Sequence, residues 1–475
     1  MARINTNVAS LTAQRGLSQS QRSLSDTLQK LSSGLRINRG ADDPAGLIAS
    51  EGLRSEMSGI SQAIDNSQRA SNVISTAEGA LSEVASLLLN VKGLVVEAAN
   101  SGALSPDEIA ANQLQVDSAV ESITRISNTT TFAGLHLLNG SLDYLTSGVP
   151  SAIKQLDISQ AHFGANPSIP VDINVVTSAQ TANLEFRSSA IAANVTLEVA
   201  GNDGVDVLTF VAGTTCSAVA YAVNRISDAT GVTAAMRDPT NVTSGITFQS
   251  NGYGSKSFVS VTAQSGAFAT QDTNGNAKQR SVGRDAVATI NGALTVGEGL
   301  NVKLNTTTLD LNLTLDKTFG AGKTSFAIVG GGALFQLGPQ VTSSQQVNVG
   351  IGSVAASRLG DKNVGFLNDL VTGGSSTLVA GKAAEASKII EKAIGQVAVM
   401  RGRLGAFEKN TLQTNMSSLS VALENVTASE STIRDADFAE ETSAMTRAQI
   451  LTQAGTSVLS TANSTPQSVL SLLQH

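Results

Sequence analysis

The two ends of the chain each carry a thin apolar stripe with helical spacing. Near the C-terminus, small or apolar residues recur in steps of 4, 3, 4, 3 and 4, at Ala444, Ala448, Leu451, Gly455, Val458 and Ala462. Near the N-terminus the same spacing joins Leu24, Leu28, Leu31 and Leu35, with Leu17 preceding them. Such alternation is typical of a coiled-coil seam. The other positions are mostly Ser, Thr, Gln and Asn, so neither helix buries enough apolar surface to be stable alone. Each end needs a partner, which indicates assembly rather than catalysis.

The segment that follows predicts two more helices. The first terminal helix is expected over residues 1–35, and the stretch Asn38–Pro44 interrupts it because Gly and Pro are unfavourable in a helix interior. A second helix is predicted over about 45–100. Its seam has ten apolar residues among eleven positions: Ala63, Ser67, Ala70, Ile74, Ala77, Leu81, Val84, Leu88, Val91, Val95 and Ala98. A third helix begins at the capping box Ser105–Glu108 and continues to about 128.

The middle of the chain has the period of strands. From about 140 to 360 the apolar residues alternate with polar ones, and Gly201–Gly204 reads as a hairpin turn between strands 195–200 and 205–211. One helix is predicted over 214–228. Further strands are predicted at 245–250, 258–263, 286–291, 300–304, 309–315, 325–329, 334–337 and 346–351. This pattern predicts one β-rich domain with one or two helices.

The helical period returns at about residue 375. An uninterrupted stripe joins Leu412, Met416, Leu419, Leu423, Val426, Glu430 and Ile433, and after residues 434–437 a terminal helix continues to Leu473. The predicted fold class is α+β: a discontinuous coiled-coil core of N- and C-terminal helices with an inserted β-rich outer domain. The predicted domains are 1–40 with 436–475 (terminal helices), 41–165 with 331–435 (helical core with a β-hairpin), and 166–330 (inserted β-rich domain).

The composition of the chain argues against several classes of protein. The net charge is −7, which argues against a nucleic-acid partner, since such proteins carry a basic footprint. The lone Cys216 excludes a disulfide framework. The N-terminus lacks the apolar core of a cleaved secretory signal, and an uninterrupted apolar run of about 18 residues does not occur, so neither a signal peptide nor a membrane span is expected.

Catalytic and ligand-binding motifs do not emerge. The three histidines do not form a zinc-protease motif or a catalytic triad. Gly322-Lys323-Thr324 resembles the end of a phosphate loop, but Lys317 stands where the first glycine is required. A calcium loop at Asp272 is contradicted by Ala277 and Gly283 at its sixth and twelfth positions. We expect no cofactor, no metal and no enzymatic activity.

Several motifs resemble those of a known family. Leu31-Ser32-Ser33-Gly34-Leu35-Arg36-Ile37-Asn38 and Asp42-Asp43-Pro44-Ala45-Gly46 resemble the N-terminal signature of bacterial flagellins. The C-terminal motifs of that family are matched by 434–441, 448–459 and 466–473. The resemblance covers about residues 1–140 and 380–475, whereas the middle is similar only in position and β character.

The resemblance implies a subunit of the extracellular flagellar filament. Terminal helices of flagellins pair around a narrow channel, and the inserted domain faces solvent. Subunits are exported unfolded by the flagellar secretion apparatus with an export chaperone, and they add beneath a cap. The expected partners are other copies of the chain, the cap, and hook-associated proteins. The assembly interface is expected to include the terminal stripes, Leu470, Leu472 and Leu473, and the kink residues Arg36, Asp42 and Asp43, which can equally serve as helix caps.

One segment departs from the family. Flagellins detected by a Toll-like receptor carry a Gln-Arg pair and further charge on the second helix, whereas this chain has Leu89 and Asn90 there and Gly93 at a usually acidic position. Lys92 and Leu94 are retained. The departure predicts weak recognition by that receptor.

Three other functions remain open at this point. A hook–filament junction protein is also structural, although the intact segments 449–459 and 470–473 favour a filament subunit. An adhesin displayed on the filament would use the β-rich domain, whose scarcity of aromatic residues disfavours carbohydrate stacking. An enzyme is the remaining class.

Overall fold

The computed structural model describes residues 6–164, 166–241 and 243–473, with side chains of the last helix described as far as Thr465. Its helices are α1 Val8–Ser33, α2 Pro44–Ala99, α3 Pro106–Thr129, α4 Cys216–Arg225, α5 Ser227–Thr230, α6 Ala383–Phe407, α7 Thr414–Arg434 and α8 Phe438–Leu473. A π-helical turn, Glu408–Gln413, joins α6 to α7. The chain divides into two compact units, one of Met1–Arg69, Gln336–Val341 and Lys409–His475, the other of Ala70–Phe335 and Thr342–Glu408.

The first unit consists of paired antiparallel helices. Helices α1 and α8 pack along each other from opposite ends of the chain. The beginning of α2 lies against α7, where Arg434 forms an ion pair with Glu51 and the Asn415 amide donates to Ser67 Oγ. All seven positions of the predicted stripe, Leu412 in the π-helical turn and the other six on α7, are buried or partly buried. The spacing of apolar residues therefore predicted the packed face of α7 correctly.

The second unit contains the rest of α2 together with α3 and α6. All eleven positions of the predicted α2 seam are buried, and nine of them, from Ala70 to Ala98, lie in this unit. Antiparallel packing of α2 and α6 is marked by ion pairs between Lys92 and Glu391 at 3.2 Å and between Glu78 and Arg401 at 3.9 Å. The capping box at Ser105 is formed in both directions, as predicted.

The strands all belong to the second unit apart from one residue of β19. In chain order they are β1 Thr131–Phe132, β2 Leu135–His136, β3 Tyr144–Ser147, β4 Ile153–Ala161, β5 Ile169–Thr177, β6 Thr181–Phe186, β7 Val195–Ala200, β8 Val205–Phe210, β9 Val232–Met236, β10 Ile246–Tyr253, β11 Phe258–Ser265, β12 Arg280–Val282, β13 Val287–Ile290, β14 Ala293–Leu294, β15 Val296–Glu298, β16 Asn301–Asn305, β17 Leu309–Leu315, β18 Gly322–Gly331, β19 Ala333–Gln336, β20 Gln346–Val349, β21 Gly360–Asp361 and β22 Gly365–Phe366.

These strands enclose two hydrophobic cores where the sequence suggested one β-rich domain. The first core lies between a five-stranded sheet in the order β14-β13-β5-β18-β3 and a four-stranded sheet in the order β15-β16-β17-β4. The second joins the sheets β6-β10-β9 and β12-β11-β7-β8 with helix α4. Alternation of apolar and polar residues predicts which residues of a strand are buried, but it does not predict in which of the two cores they are buried.

Several local predictions are confirmed. β7 pairs with β8 over six successive residues, as the predicted hairpin requires. The helix predicted over 214–228 is present as α4 and α5. The predicted strands did not include the longer strands β3 to β6 and β9, of which β4 and β5 are each nine residues long, or the short strands β1, β2, β12, β14, β15, β21 and β22. The α+β fold class is confirmed.

The sequence analysis expected no membrane span, yet helix α2 is long and apolar enough to form one. By length and mean hydropathy, residues 44–98 are sufficient for one membrane-spanning helix. The apolar residues of that helix include the seam buried inside the fold, for example Ile74, Leu81 and Leu88. A core helix meets the same criteria of length and hydropathy, so these criteria alone are weak support for a membrane span.

Candidate assembly interface

Helices α1 and α8 form an antiparallel pair with polar contacts at both ends. At one end the Asn7 side-chain amide donates to Ala462 O at 2.7 Å, and Ser10 Oγ donates to Asn463 Oδ1 at 2.7 Å. At the other end Lys30 Nζ lies 3.0 Å from Glu441 Oε1. The two predicted terminal stripes therefore meet within one chain.

The seam between the two helices contains small and polar residues as well as apolar ones. On α1 the partly or fully buried positions include Ser10, Ala13, Leu17, Ser20, Leu24, Thr27 and Leu31; on α8 they include Glu441, Met445, Ala448, Thr452, Gly455, Leu459 and Ala462. A stripe defined only by small or apolar residues misses the polar members. On α1, counting in steps of three and four residues from Leu17 gives the polar members Ser20 and Thr27.

Some predicted stripe residues lie outside this seam. Leu28, Leu451 and Val458 are 48%, 51% and 56% exposed, whereas Ala444 is partly buried. Phe438 and Ile450, which the sequence analysis did not single out, are also exposed and line an open groove along α8. Among the residues that the structure describes, the pair of helices thus keeps an apolar surface that no other segment covers. Leu470, Leu472 and Leu473 lie outside the residues whose side chains are described.

The two family motifs meet where α1 and α7 end. Leu35 and Asp435 form an isolated antiparallel bridge. Arg36 N donates to Arg434 O at 2.7 Å, and Ala436 N donates to Gly34 O at 3.0 Å. The Arg36 guanidinium also donates to Ile433 O from its Nε at 3.2 Å. Arg36 therefore satisfies a carbonyl that the end of α7 leaves without an intrahelical partner.

Asp42 and Asp43 have local partners at the start of α2. Asp42 Oδ2 accepts hydrogen bonds from Arg39 N at 2.8 Å and Asn38 N at 3.0 Å. These two backbone amides lower the pKa of Asp42 below its ordinary value. Asp43 Oδ1 accepts from Gly46 N at 2.9 Å, which is the geometry of a helix N-cap. The structure gives Asp43 the capping role that the sequence left open, whereas Asp42 closes the loop between α1 and α2.

The segment from Leu89 to Leu94, which the sequence analysis singled out, lies on α2 in the second unit. Leu89, Asn90 and Gly93 are exposed, whereas Leu94 is partly buried. Lys92 is engaged by Glu391 of α6. The exposed part of this face therefore carries an aliphatic side chain, an amide and a glycine, and its one retained cation is already paired.

A metal site is not formed by the described side chains: within that part of the chain, groups of three or more His, Cys, Asp or Glu residues with suitable geometry are absent. At the calcium-like loop, Asp272 accepts from the backbone amides of Asn276 and Asn274 at 3.0 and 2.9 Å. Hydrogen bonds from Asn276 are the main cause that lowers the pKa of Asp272 to about 2. Lys278 Nζ lies 3.3 Å from the same carboxylate, so this loop is closed by protein groups.

Comparison with known proteins covers both ends and the whole length. The bacterial flagellin N-terminal helical region matches residues 4–143, and the bacterial flagellin C-terminal helical region matches residues 387–473. The B-type flagellin of Pseudomonas aeruginosa is 31% identical over 99% of both chains. Flagellin of Escherichia coli K12 is also 31% identical, and that of Salmonella typhimurium 29%, each over 99% of both chains.

The matched regions contain the paired helices α1 and α8 and the junction of Leu35 with Asp435. Full-length similarity at this level, together with the two terminal regions, establishes the family. The chain belongs to the bacterial flagellins, the structural subunits of the flagellar filament.

Proposed function

We propose that this chain polymerises into the flagellar filament through its paired terminal helices, α1 and α8. The observation that carries the proposal is the exposed apolar surface on that pair, which includes Leu28, Leu451, Val458, Phe438 and Ile450. In a polymer these side chains are buried by neighbouring copies, and burial of apolar surface is the main favourable term in association. Contacts of this kind, repeated with a rotation that does not close a ring, produce an open helical filament.

Sparse burial in the pair supports assembly-coupled ordering. Of the described side chains of α1 and α8, only Thr27 and Ala448 are buried, and the others are partly or largely exposed. A helix pair with so little buried surface has marginal stability alone, since helix stability in proteins comes mainly from packing. We propose that the termini order upon assembly, which imposes a free-energy cost on premature polymerisation.

The proposed architecture follows the sequence-based domains. Segments 1–40 and 436–475 would line the inner tube, 41–165 with 331–435 would form the surrounding core, and 166–330 would face solvent. Leu470, Leu472 and Leu473 would extend the inner contacts. Arg36, Asp42 and Asp43 would set the chain direction at the kink, a role that agrees with their hydrogen bonds within the chain.

The proposed partners are those of a secreted filament subunit. We propose export in an unfolded state by the flagellar secretion apparatus, aided by an export chaperone, and addition to the filament beneath the cap with hook-associated proteins at its base. The chain would need neither a cofactor nor a metal, and we propose that it has no enzymatic activity. We also propose that neither nucleic acid nor membrane is a partner.

Recognition by the Toll-like receptor is proposed to be weak. The face that carries Leu89, Asn90 and Gly93 lacks the charged groups expected there, and Lys92 is paired with Glu391. Replacing Leu89-Asn90 by Gln-Arg is expected to increase receptor signalling. Equal signalling by the native and substituted chains would contradict it.

The junction protein and the filament-displayed adhesin are the competing functions. A major subunit dominates sheared surface appendages, whereas a junction protein is a minor component, so abundance in sheared material discriminates between them.

Deletion of residues 440–475 tests the proposal. The truncated chain is expected to remain a soluble monomer when seeded with filament fragments, while the full chain elongates them. The thiol of Cys216, buried in the second β core, reports whether the truncated chain is folded, because a folded chain protects it from a thiol reagent. Filaments formed by a folded truncated chain would refute the role of the terminal helices.

A further inference from the structure

The chain passes twice between the two β cores. Residues 178–180 lead from β5 of the first core to β6 of the second, and residues 283–286 lead back from β12 to β13. Gln180 and Arg284 pair these two segments in an isolated antiparallel bridge, with Gln180 N donating to Arg284 O at 2.8 Å and Arg284 N donating to Gln180 O at 3.0 Å. Two short segments of this kind would form a hinge if no other contact held the cores together.

The carboxylate of Asp285, in the returning segment, joins one turn of each core. Its Oδ1 accepts hydrogen bonds from Gly299 N at 2.7 Å and from Ser255 N at 3.0 Å, and its Oδ2 accepts from Ser255 Oγ. Gly299 lies between β15 and β16 of the first core, whereas Ser255 lies in the turn between β10 and β11 of the second. These hydrogen bonds, that of Gly299 N first, lower the pKa of Asp285. The carboxylate is therefore charged at neutral pH, and hydrogen bonds to a charged group are stronger than those between neutral groups.

The backbones of the two turns are in close contact because glycines line them. A Cβ added to Gly254 would lie 2.7 Å from Gly299 Cα and would also clash with Asp285 Oδ1. A Cβ added to Gly299 would lie 2.8 Å from Tyr253 O. Both glycines have positive φ angles, 100° for Gly254 and 60° for Gly299, which disfavour other residues. A larger residue at either position would therefore separate the two turns.

Two further side chains connect the cores at this place. Tyr253, at the end of β10, packs against the hydrophobic residues of the first core. Lys256, in the same turn as Ser255, forms an ion pair with Glu298 of β15. Because this pair is exposed, it contributes little to stability. The main contacts between the two turns are therefore the hydrogen bonds of Asp285, the close backbone packing and the Tyr253 ring.

We propose that Asp285 is a latch that holds the two β cores together as one rigid body. With the latch closed, the second core keeps a fixed direction relative to the first. Without it, the cores turn about the two connecting segments. A carboxylate is required because all three of its partners are donors, whereas an amide would place an NH₂ group against at least one of them. The inference goes beyond the proposed function, since it concerns a single chain and holds whether or not the chain polymerises.

Measurement of the distance between the two cores tests the latch. In the full-length monomeric chain, Cys216→Ser removes the native thiol, and Leu294→Cys and Val205→Cys place one exposed labelling site on each core. Pulsed electron paramagnetic resonance between two nitroxide labels is expected to give a single narrow distance distribution. Adding Asp285→Ala is expected to broaden or split that distribution.

The matched control is Asp238→Ala, which should leave the distance distribution narrow. Asp238 lies in a loop of the second core, and its carboxylate accepts from Thr240 N at 2.9 Å and from Thr240 Oγ1 within that loop. Asp238→Ala therefore removes a hydrogen-bonded carboxylate without affecting the contact between the cores. If Asp285→Ala fails to fold, Asp285→Asn, which has nearly the same shape, takes its place.

Hydrogen exchange supplies a second readout in the same variants. The amides of Ser255 and Gly299 should lose protection by roughly tenfold or more when Asp285 is replaced, while those of Leu197 and Leu311, in interior strands of the two cores, should keep it. A distribution that is already broad with native Asp285 would overturn the latch. So would a distribution that stays narrow although the two amides lose protection, or one that Asp238→Ala broadens equally.

Discussion

Gly455 of α8 lies directly against Leu17 of α1. A Cβ added to Gly455 would approach Leu17 Cα to 3.5 Å and Leu17 Cδ1 to 3.3 Å. A small residue is therefore required at this point of the seam for the helices to pack at their present distance. The two residues are far apart in the sequence, and their contact links the ends of the chain.

Replacing Gly455 by Leu should disrupt the pair and abolish polymerisation. The matched control is Gly16→Leu, because a Cβ at Gly16 meets no atom within 4 Å. Both substitutions raise helix propensity by roughly 0.8 kcal/mol, so a difference between them reports packing rather than helix formation. Seeded elongation measured by light scattering should persist in Gly16→Leu and vanish in Gly455→Leu. Equal elongation of the two variants would show that the close approach is unimportant.

Removal of the Asp43 cap should loosen the first turn of α2. Asp43→Ala loses the hydrogen bond from Gly46 N, and loss of an N-cap typically costs about 1 kcal/mol. Asp43→Asn keeps an acceptor and should behave like the native chain. Hydrogen exchange of the amides at the start of α2 measures the effect. Native-like protection in Asp43→Ala would indicate that another group caps the helix.

Tyr144 should contribute to the stability of the first β core through its hydroxyl. That hydroxyl accepts from Ala161 N at 2.9 Å and donates to Asn348 O at 3.1 Å, and burial raises its pKa to about 12. Tyr144→Phe leaves both partners unsatisfied, at a cost of about 1–3 kcal/mol. The exposed Tyr221 provides the control Tyr221→Phe, which should have no effect. Denaturant unfolding, followed through the circular-dichroism signal of the strands, compares the two variants. Identical unfolding midpoints for Tyr144→Phe and Tyr221→Phe would refute a stabilising role of the Tyr144 hydroxyl.

Asp143 should make the same region less stable at neutral pH than in acid. Burial raises the pKa of Asp143, and so does the nearby Asp157, while Tyr144 N, Arg403 and Arg358 oppose the shift. Because the folded-state pKa exceeds the unfolded one, folding favours the protonated carboxyl, and its contribution to stability falls as pH rises through the folded-state pKa.

Asp143→Asn tests this pH dependence. The variant should have a higher melting temperature than the native chain at pH 7, and the difference should disappear below about pH 3, where both side chains are neutral. An equal difference at both pH values would show that shape, rather than charge, decides the effect.

The buried face of a long periodic helix was predictable because a single repeat of apolar positions determines it. The α2 seam repeats over eleven positions and all are buried, and the capping box at Ser105 needs only local contacts. The terminal helices were harder. Leu24, Leu28 and Leu31 share the spacing of one stripe, yet Leu28 is exposed and the seam continues through Thr27. Sequence spacing identifies a face of a helix, but it does not identify which partner covers each position.

The β region was only partly predictable for a related reason. β5 is a central strand between β13 and β18, yet Pro170 lies near its start, where proline usually argues against a central strand. The outward positions of Val176 and Val287 depend on a bulge in β5 and on the pairing of β5 with β13, which are distant in the sequence. Tertiary register of this kind is absent from local patterns.

Seeded polymerisation of the full chain, followed by electron microscopy and far-ultraviolet circular dichroism, tests the central claim most directly. The account predicts long tubes that extend from sheared filament fragments, together with a gain of helical signal as the termini order. Monomers that stay unpolymerised with an unchanged helical signal would contradict it.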